Sequence, residues 1–316
     1  MFEALFLGLL QGLTEFLPIS SSAHLRLAGE FLPSASDPGA TFTAITQIGT
    51  ELAVLIYFRK DISRIAAAWI SKVVTRKEIP GSSPQDVRLG WMIILGSLPI
   101  VVLGYLFQEN IRNTFRSLWL IAIVMIVFGI ILGIADKLGK SDRDLSSLTT
   151  KHGFAYGFAQ SLALVPGVSR SGATIAMGRV LGYTRDSALR YSFLLAVPAV
   201  FGSGLYELRT AIGESDSSAP YSLMETFGAT IVAFFVGYAV IAWLMKFIST
   251  RSFMPFIIYR IALGSGILIL LATGLIFLAV GLISLTASLI LLVTGMIFLA
   301  LGLILLASGL IYLASA

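Results

Sequence analysis

Polar and charged residues gather in one otherwise apolar part of the chain, the segment PGVSRSGAT between Pro166 and Thr174. The planar guanidinium of Arg170 can hold two oxygens of a phosphate at once. The hydroxyls of Ser169, Ser171 and Thr174 can donate further hydrogen bonds to the same group. These residue types at this spacing predict an anion site, and phosphate fits it best.

The same segment predicts a break in a helix. Pro166 has no amide hydrogen, and Gly167 and Gly172 relax the backbone, so a helix arriving through 154–163 should stop here and restart near Gly172. A helix that begins at membrane depth presents free N–H groups and the positive end of its dipole. We therefore expect backbone amides to take part in the anion site.

A second polar segment lies near the N-terminus, where FLPISSS interrupts an apolar helix over 2–16. Carboxylates at membrane depth are costly and usually functional, which favours a catalytic role for Glu15 over an ion pair with an interfacial arginine. His24 follows the serines on the restarting helix, where an imidazole can exchange protons near neutral pH. For Ser21, both a nucleophile and a helix cap stay open.

Three other polar residues are less decisive. Gln47 and Glu51 lie four residues apart on one helical face, so they either line the site or pair with a neighbouring helix. His152, the only other histidine, follows Lys151 at the end of an apolar segment and is expected to be solvated.

Composition identifies an integral membrane protein. Of 316 residues, 57% are hydrophobic and 12% are charged, against roughly a quarter charged in soluble domains, and the mean hydropathy is +0.91. The absence of cysteine excludes disulfides and thiol chemistry. The net charge of +5 comes from bases at the ends of apolar segments, so we expect no nucleic-acid partner. The first residues lack the basic region of a cleavable signal peptide.

The apolar segments predict an all-α membrane protein with six transmembrane helices and two broken hairpins, over 2–32 and 153–182. The loops 59–88 and 136–151 carry seven and four Lys/Arg, so the positive-inside rule places both in the cytoplasm. The hairpins then dip into the membrane from opposite faces. The predicted spans are 40–58, 90–107, 117–135, 191–208, 226–245 and 255–275.

The two halves of the chain also match each other at an offset of 149 residues. Together with the reversed charge orientation, this predicts an inverted-topology repeat, about 1–135 and 152–275, whose broken helices meet near the membrane midplane. The matched pairs are Gly8 with Gly157, Gln11 with Gln160, Leu13 with Leu162, Ser20 with Ser169, and Ser22 with Ser171.

Two long motifs resemble a known family. LQGLTEFLPISSSAH (Leu10–His24) and LVPGVSRSGATI (Leu164–Ile175) resemble the signatures of the bacterial undecaprenyl-diphosphate phosphatases, also called bacitracin-resistance phosphatases. Further similarity lies in FLLAVPA (193–199), QIGTELAVLIYFRKDI (47–62) and FIIYR (256–260). The resemblance implies six spans with two opposed re-entrant segments. It also implies a multi-pass enzyme of the bacterial plasma membrane that removes the terminal phosphate of the lipid carrier on the outer face, so that cell-wall synthesis can reuse the carrier.

The sequence departs from that family in two places. The first motif of the family has Glu or Gln followed by Glu four residues later, and here Gln11 precedes Glu15, so only Glu15 can titrate. The second departure is the tail: residues 1–275 form the phosphatase domain, whereas 276–316 are an apolar, low-complexity helical extension. Because LLATGLIFLAVGLI (270–283) is nearly repeated by LLVTGMIFLALGLI (291–304), an extra natural span and an appended segment both stay open.

The predicted reaction is hydrolysis of a phosphoanhydride. Arg170 holds the diphosphate, and Glu15 with His24 supplies acid and base to Ser21 or to water. A divalent cation, Mg²⁺ or Ca²⁺, would offset the diphosphate charge. Glu15 is its one candidate ligand, and the sequence shows no motif for a dedicated metal site. The other predicted substrate-binding residues are Gln11, Ser20, Ser22, Gly167, Ser169, Ser171, Gly172 and Thr174.

An alternative from another class is a transporter or flippase for a polyprenyl phosphate, since inverted repeats and midplane breaks suit it equally. Transport does not obviously require the combination of Glu15, Ser21, His24 and Arg170, which favours the enzyme. The expected partners are a polyprenyl diphosphate lipid and membrane lipids. The sequence is compatible with both a monomer and a homodimer.

Overall fold

The computed structural model describes residues 1–32, 37–76, 83–112, 114–213 and 220–275, which form helices joined by turns. The predicted extension 276–316 lies outside these residues. The α-helices within the described ranges are α1 (Phe2–Thr14), α2 (Ser21–Phe31), α3 (Gly39–Tyr57), α4 (Arg59–Ile70), α5 (Pro84–Leu106), α6 (Gln108–Arg112), α7 (Leu118–Leu138), α8 (Thr150–Ser161), α9 (Arg170–Val180), α10 (Arg185–Gly213), α11 (Leu223–Ile248) and α12 (Met254–Ala272).

Six of these helices are long and apolar enough to cross a membrane, namely α3, α5, α7, α10, α11 and α12. This confirms the all-α fold and the six predicted spans. Several helices run past the predicted ends, because polar turns at the membrane surface remain helical. For example, α5 begins at Pro84, where the Ser83 hydroxyl caps the amide of Gln85.

The basic segment after α3 is more ordered than its sequence suggests. Instead of a loop, it begins with the helix α4, which packs against α5. Ile65 and Ala68 are buried on one face, while Arg59 and Lys60 are exposed. The helix is therefore amphipathic, with a narrow apolar stripe among basic residues that hides its periodicity in the sequence.

Both predicted helix breaks are present. The chain leaves α1 at Thr14 and restarts as α2 at Ser21; it leaves α8 at Ser161 and restarts as α9 at Arg170. The second restart comes two residues before Gly172, because the Ser169 hydroxyl accepts the Gly172 amide and caps the new helix.

The two breaks share an unusual backbone conformation. Ser20 has φ of 74° and Ser169 has φ of 69°, a region that residues other than glycine rarely adopt. Such a residue costs on the order of 1–3 kcal/mol and is held in place by the surrounding structure. The serine hydroxyl two residues further on, of Ser22 or Ser171, lies 3.2 Å from the first in both breaks.

The first halves of the two broken helices also pack alike. Gly8 of α1 lies against the backbone of Ala229 on α11, and Gly157 of α8 lies against the backbone of Gly96 on α5. A Cβ atom at either glycine would overlap that backbone, so only glycine permits these close approaches. The two glycines that match in the sequence therefore both lie where the first half of a broken helix crosses a long helix closely.

An acidic residue between two arginines holds the end of α2. Asp37 pairs with both Arg116 and Arg26, and its carboxylate also accepts the Gly39 amide at 2.9 Å. Burial alone would raise the pKa of Asp37, but the hydrogen bonds from Arg116 outweigh it, so the pKa is lowered. A comparable group lies at the end of α9, where Asp136 of α7 pairs with Arg179 at 3.1 Å and Arg185 at 2.7 Å.

Aromatic packing joins the first break to the core of the molecule. Phe193 of α10 meets Phe16 in the first break at 5.2 Å between ring centroids and Phe58 at 6.1 Å. All three rings are buried. The turn after Glu15 is therefore anchored to a central span.

Candidate active site

The two breaks face each other and are joined by hydrogen bonds. The Gly167 amide donates to the Ser20 hydroxyl at 3.2 Å, and the Ser171 hydroxyl donates to the Leu17 carbonyl at 3.2 Å. Gly167 has φ of 98°, so its glycine identity is required by the turn. The two predicted polar segments, 155 residues apart between Glu15 and Arg170, therefore form one site.

A buried arginine from α12 holds both turns together. Arg260 is fully buried and donates to the carbonyls of Pro18 at 3.0 Å, Gly167 at 2.7 Å and Val168 at 3.0 Å. It also reaches the Met125 carbonyl at 3.3 Å. Broken helices leave carbonyls without partners, and this guanidinium supplies donors to them.

The carboxylate of Glu15 is the centre of the site. Its Oε2 atom accepts from the Ser21 hydroxyl at 2.5 Å and from the Gln11 amide at 2.7 Å. Its Oε1 atom accepts from Arg170 at 2.7 Å, and the Gln47 amide approaches both oxygens at 3.3–3.4 Å. The Glu15 side chain is only 3% exposed, so these groups compensate for the removal of its charge from water. Ser21 lies inside α2, and Ser20 is the residue that precedes the helix.

A second carboxylate approaches the same arginine. The Glu51 Oε2 atom lies 3.6 Å from Arg170 Nη2, and the Glu51 side chain is fully buried. Of the two readings left open for Gln47 and Glu51, the structure supports the one in which they line the site. Among the described residues, neither Glu51 oxygen nor Arg170 Nη1 has a hydrogen-bond partner.

His24 lies beside this cluster with a different set of contacts. Its Nδ1 atom is 2.7 Å from the Ser20 carbonyl, which can only accept, so Nδ1 carries the proton. Its Nε2 atom is 2.8 Å from the Tyr259 hydroxyl and accepts from it in the neutral ring. The structure thus joins Glu15, Ser21 and Arg170 directly, and it links His24 to the Ser20 turn.

The other predicted binding residues differ in their orientation. Ser22 and Ser169 bond the serine of their own break, as does Ser171. The amide of Gly172 is used by the cap of α9. The Thr174 hydroxyl donates to the Arg170 carbonyl at 2.8 Å, so the structure does not bring it to Glu15.

His152 is half-buried rather than fully solvated. It lies 2.7 Å from the Tyr183 hydroxyl.

An apolar groove of about 730 Å³ runs from the site between α1, α11 and α12. Thr14, His24 and Tyr259 contribute to its wall, and the other lining residues are apolar. Phe235 and Trp243 on this wall are 66% and 50% exposed, so the groove opens toward the lipid-facing surface.

Several residues of the site were not predicted from the sequence as functional. Arg260 and Tyr259 belong to FIIYR, a segment that suggested only family likeness. The available signal was a charged residue within an otherwise apolar span, which usually has a functional or structural partner. The identity of that partner depends on tertiary contacts.

The sequence is similar to those of a known protein family. The family described as "Bacitracin resistance protein BacA" matches residues 4–267. The chain belongs to the BacA family. Undecaprenyl-diphosphatase from Micrococcus luteus is 61% identical over 272 residues, covering 86% of this chain and 97% of the relative. Undecaprenyl-diphosphatase from Pseudarthrobacter chlorophenolicus is 58% identical over 273 residues, covering 86% and 98%. Undecaprenyl-diphosphatase 2 from Agrobacterium fabrum is 58% identical over 272 residues, covering 86% and 96%.

Proposed function

We propose that this protein is a multi-pass membrane phosphatase that hydrolyses undecaprenyl diphosphate to undecaprenyl phosphate and inorganic phosphate. The observation that carries the proposal is the hydrogen-bonded group of Glu15, Ser21 and Arg170 at the junction of two broken helices, in a chain so similar to proteins named undecaprenyl-diphosphatase. The product returns the lipid carrier to cell-wall synthesis, and the activity accounts for bacitracin resistance. The relatives' name favours hydrolysis over the transporter alternative.

In this proposal, Arg170 binds the terminal phosphate. Its Nη1 atom has no partner among the described residues, so one arm of the guanidinium is available without breaking a contact. The other arm exchanges Glu15 for a phosphate oxygen. The positive end of α9, which begins at Arg170, adds to the stabilisation of the equatorial oxygens as charge develops on them.

Glu15 is the general base. The 2.5 Å contact between Ser21 Oγ and Glu15 Oε2 supports proton transfer from the hydroxyl to the carboxylate as Ser21 attacks the terminal phosphorus. The bond to the prenyl phosphate breaks, and water then hydrolyses the phosphoserine. In the alternative route, Glu15 removes a proton from water and the same bond breaks in one step. In the serine route, Nε2 of His24, once Tyr259 releases it, accepts the proton of the hydrolysing water, and Glu15 returns its proton to Ser21 Oγ as inorganic phosphate leaves.

A divalent cation, Mg²⁺ or Ca²⁺, completes the proposed site, with Glu15 as a ligand. Bound there, it would neutralise charge on the diphosphate, which carries about three negative charges. The orphaned carboxylate of Glu51 beside Arg170 supports this fit. In the described part of the chain, no group of three or more acidic or histidine side chains could hold a metal alone.

The apolar groove between α1, α11 and α12 accommodates part of the prenyl chain. Its apolar lining and its exposure toward lipid support this assignment, because a polyprenyl tail gains nothing from leaving a hydrocarbon environment.

The remaining proposals concern topology. We infer an inverted repeat whose two broken helices are re-entrant and whose site opens to the outer face of the bacterial plasma membrane. The similar positive φ angles of Ser20 and Ser169 support the repeat, as do the close helix contacts of Gly8 and Gly157. The distribution of Lys and Arg supports the orientation.

Phosphate release from undecaprenyl diphosphate by the purified protein tests the function, with Glu15→Gln as the inactive variant. Glu207→Gln is the matched control, because Glu207 is also a buried glutamate on a span but contacts Thr41 instead of the site. We expect release by wild type and the control, and a loss of about 10²–10³-fold or more in Glu15→Gln. Lipid translocation without phosphate release would favour the transporter.

A further inference from the structure

We propose that Glu51 is the second carboxylate of the divalent-cation site. It supplies the carboxylate that a glutamate at position 11 would provide and that Gln11 does not. This inference rests on the proposed phosphatase function and adds a residue to it. The proposed cation is held by Glu15 and Glu51 together, and the diphosphate and water complete its coordination.

The first argument is the state of the Glu51 side chain. It is fully buried, and neither of its oxygens has a hydrogen-bond partner among the described residues. A buried ionised carboxylate without hydrogen bonds costs several kcal/mol, and the 3.6 Å ion pair with Arg170 offsets only part of this cost. A cation that binds here would satisfy both oxygens at once.

The second argument is position. The nearest charged group is Arg170, whose Nη2 atom lies 3.6 Å from Glu51 and 2.7 Å from Glu15. Both carboxylates therefore converge on the place now taken by one guanidinium nitrogen. When Arg170 turns to a phosphate, that place is left to two acidic side chains, one directly after α1 and one on α3.

The third argument is charge. Two carboxylates and a diphosphate face one arginine at the proposed site, and this excess of negative charge would oppose substrate binding in a low-dielectric environment. Mg²⁺ is commonly bound by one or two carboxylates together with substrate phosphates. Two acids suffice for such a site, so the absence of a larger acidic group in the described residues does not oppose it.

The position of the carboxylates also explains the departure in the first motif. The family pattern allows Glu or Gln at the position of Gln11, whose amide here bonds Glu15 at 2.7 Å. Glu51 approaches the same cluster from α3. In this chain, α3 therefore supplies through Glu51 a second carboxylate that α1 does not supply at Gln11.

The test measures Mn²⁺ binding to the purified protein in the presence of inorganic phosphate, which draws Arg170 away from the two carboxylates. Binding is followed by the loss of the free-ion EPR signal, against a baseline of the same phosphate buffer without protein. The proteins are wild type, Glu51→Gln, the double variant Gln11→Glu/Glu51→Gln, and the control Glu207→Gln. We expect Glu51→Gln to bind Mn²⁺ about tenfold or more weakly than wild type. The double variant should recover most of this loss, and the control should behave as wild type.

Phosphate release is measured on the same proteins against Mg²⁺ concentration. The half-saturating Mg²⁺ concentration should rise in Glu51→Gln and fall again in the double variant. Equal Mn²⁺ affinity in Glu51→Gln and wild type, or no Mn²⁺ binding by wild type up to about 1 mM, would overturn the inference. An absence of phosphate release from wild type at every Mg²⁺ concentration would instead contradict the phosphatase function.

Discussion

At the scale of single residues, the site depends on competition for one guanidinium. Arg170 is shared by Glu15 and Glu51, at 2.7 and 3.6 Å. Both acids are buried, so the arginine that binds substrate also limits the cost of burying them. Substrate binding must exchange these contacts for phosphate contacts. The planar shape of the Arg170 guanidinium is therefore as important as its charge.

We therefore predict that Arg170→Lys behaves almost like Arg170→Ala. Lysine keeps the positive charge but loses the planar pair of donors, one of which, Nη1, is unpartnered among the described residues. The loss should fall mainly on turnover, by about 10²–10³-fold. Phosphate release against substrate concentration, on variants checked for monodispersity, measures it.

A lysine variant that retains more than about a tenth of wild-type turnover would contradict this prediction, since that loss corresponds to only ~1.4 kcal/mol. Arg170 would then act as a point charge. Arg209→Lys, at an exposed position on α10, serves as the matched control.

Arg260 should behave differently from Arg170. It contacts the backbone carbonyls of both breaks, and each carbonyl left without a partner costs about 1–3 kcal/mol. We predict that Arg260→Lys lowers both the melting temperature and kcat, whereas Arg170→Lys lowers kcat alone. Thermal unfolding and phosphate release on the same samples distinguish the two. Unchanged unfolding of Arg260→Lys would show that the breaks do not depend on this residue.

The residue types of the site were largely predictable from sequence, but their contacts were not. Glu15, Ser21 and Arg170 stood out because polar groups are rare in apolar segments. For Glu51, the sequence did not decide between a place in the site and a pairing with a neighbouring helix. The spacing of Gln47 and Glu51 indicates that they share a helical face, but it does not indicate what that face contacts. Thr174 looked similar to the nearby serines, yet its hydroxyl bonds the helix backbone, a choice open to every helical threonine.

At the scale of elements, the broken helices are the central feature of the fold. Their existence followed from Pro166, Gly167 and the FLPISSS segment, since these residues interrupt a helix. The positive φ of Ser20 and Ser169 did not follow, because serine gives no signal for that conformation. The helix α4 was also missed, since its apolar stripe is narrow and lies among basic residues.

The Asp37 group should make the stability of the α2 end depend on pH. The folded protein lowers the pKa of Asp37 below its ordinary value near 3.8. The stabilisation is therefore fully present above the unfolded pKa, and it is lost as pH falls through the folded pKa. We predict that Asp37→Asn lowers the melting temperature at neutral pH and that its difference from wild type shrinks below about pH 4.

Melting temperatures of both proteins between neutral pH and pH 3 would check this prediction. Asp142→Asn is a suitable control, because that exposed aspartate lies outside the group. A difference that stays constant over the whole range would mean that the carboxylate charge of Asp37 contributes nothing.

At the scale of the whole molecule, length and composition were enough to predict the six spans, because about 20 apolar residues are needed to cross a bilayer. The pairing of the spans was not predictable, since most of their surfaces are similarly apolar. The matched glycines Gly8 and Gly157 gave a partial signal, because each permits a close helix crossing, but the partner of each crossing came only from the fold.

The orientation of the molecule in the membrane gives the last prediction. The segments 59–88 and 136–151 carry seven and four Lys/Arg, so both should lie in the cytoplasm, and the turn after α5 should then lie outside. Ser147 and Asn110 are exposed on these two sides, and the chain has no cysteine of its own. We predict that a membrane-impermeant maleimide labels Asn110→Cys but not Ser147→Cys in intact cells. Permeabilised cells provide the control, since both cysteines should then react. Labelling of Ser147→Cys but not Asn110→Cys in intact cells would contradict the predicted topology. The proposed site would then open to the cytoplasmic face instead of the outer face.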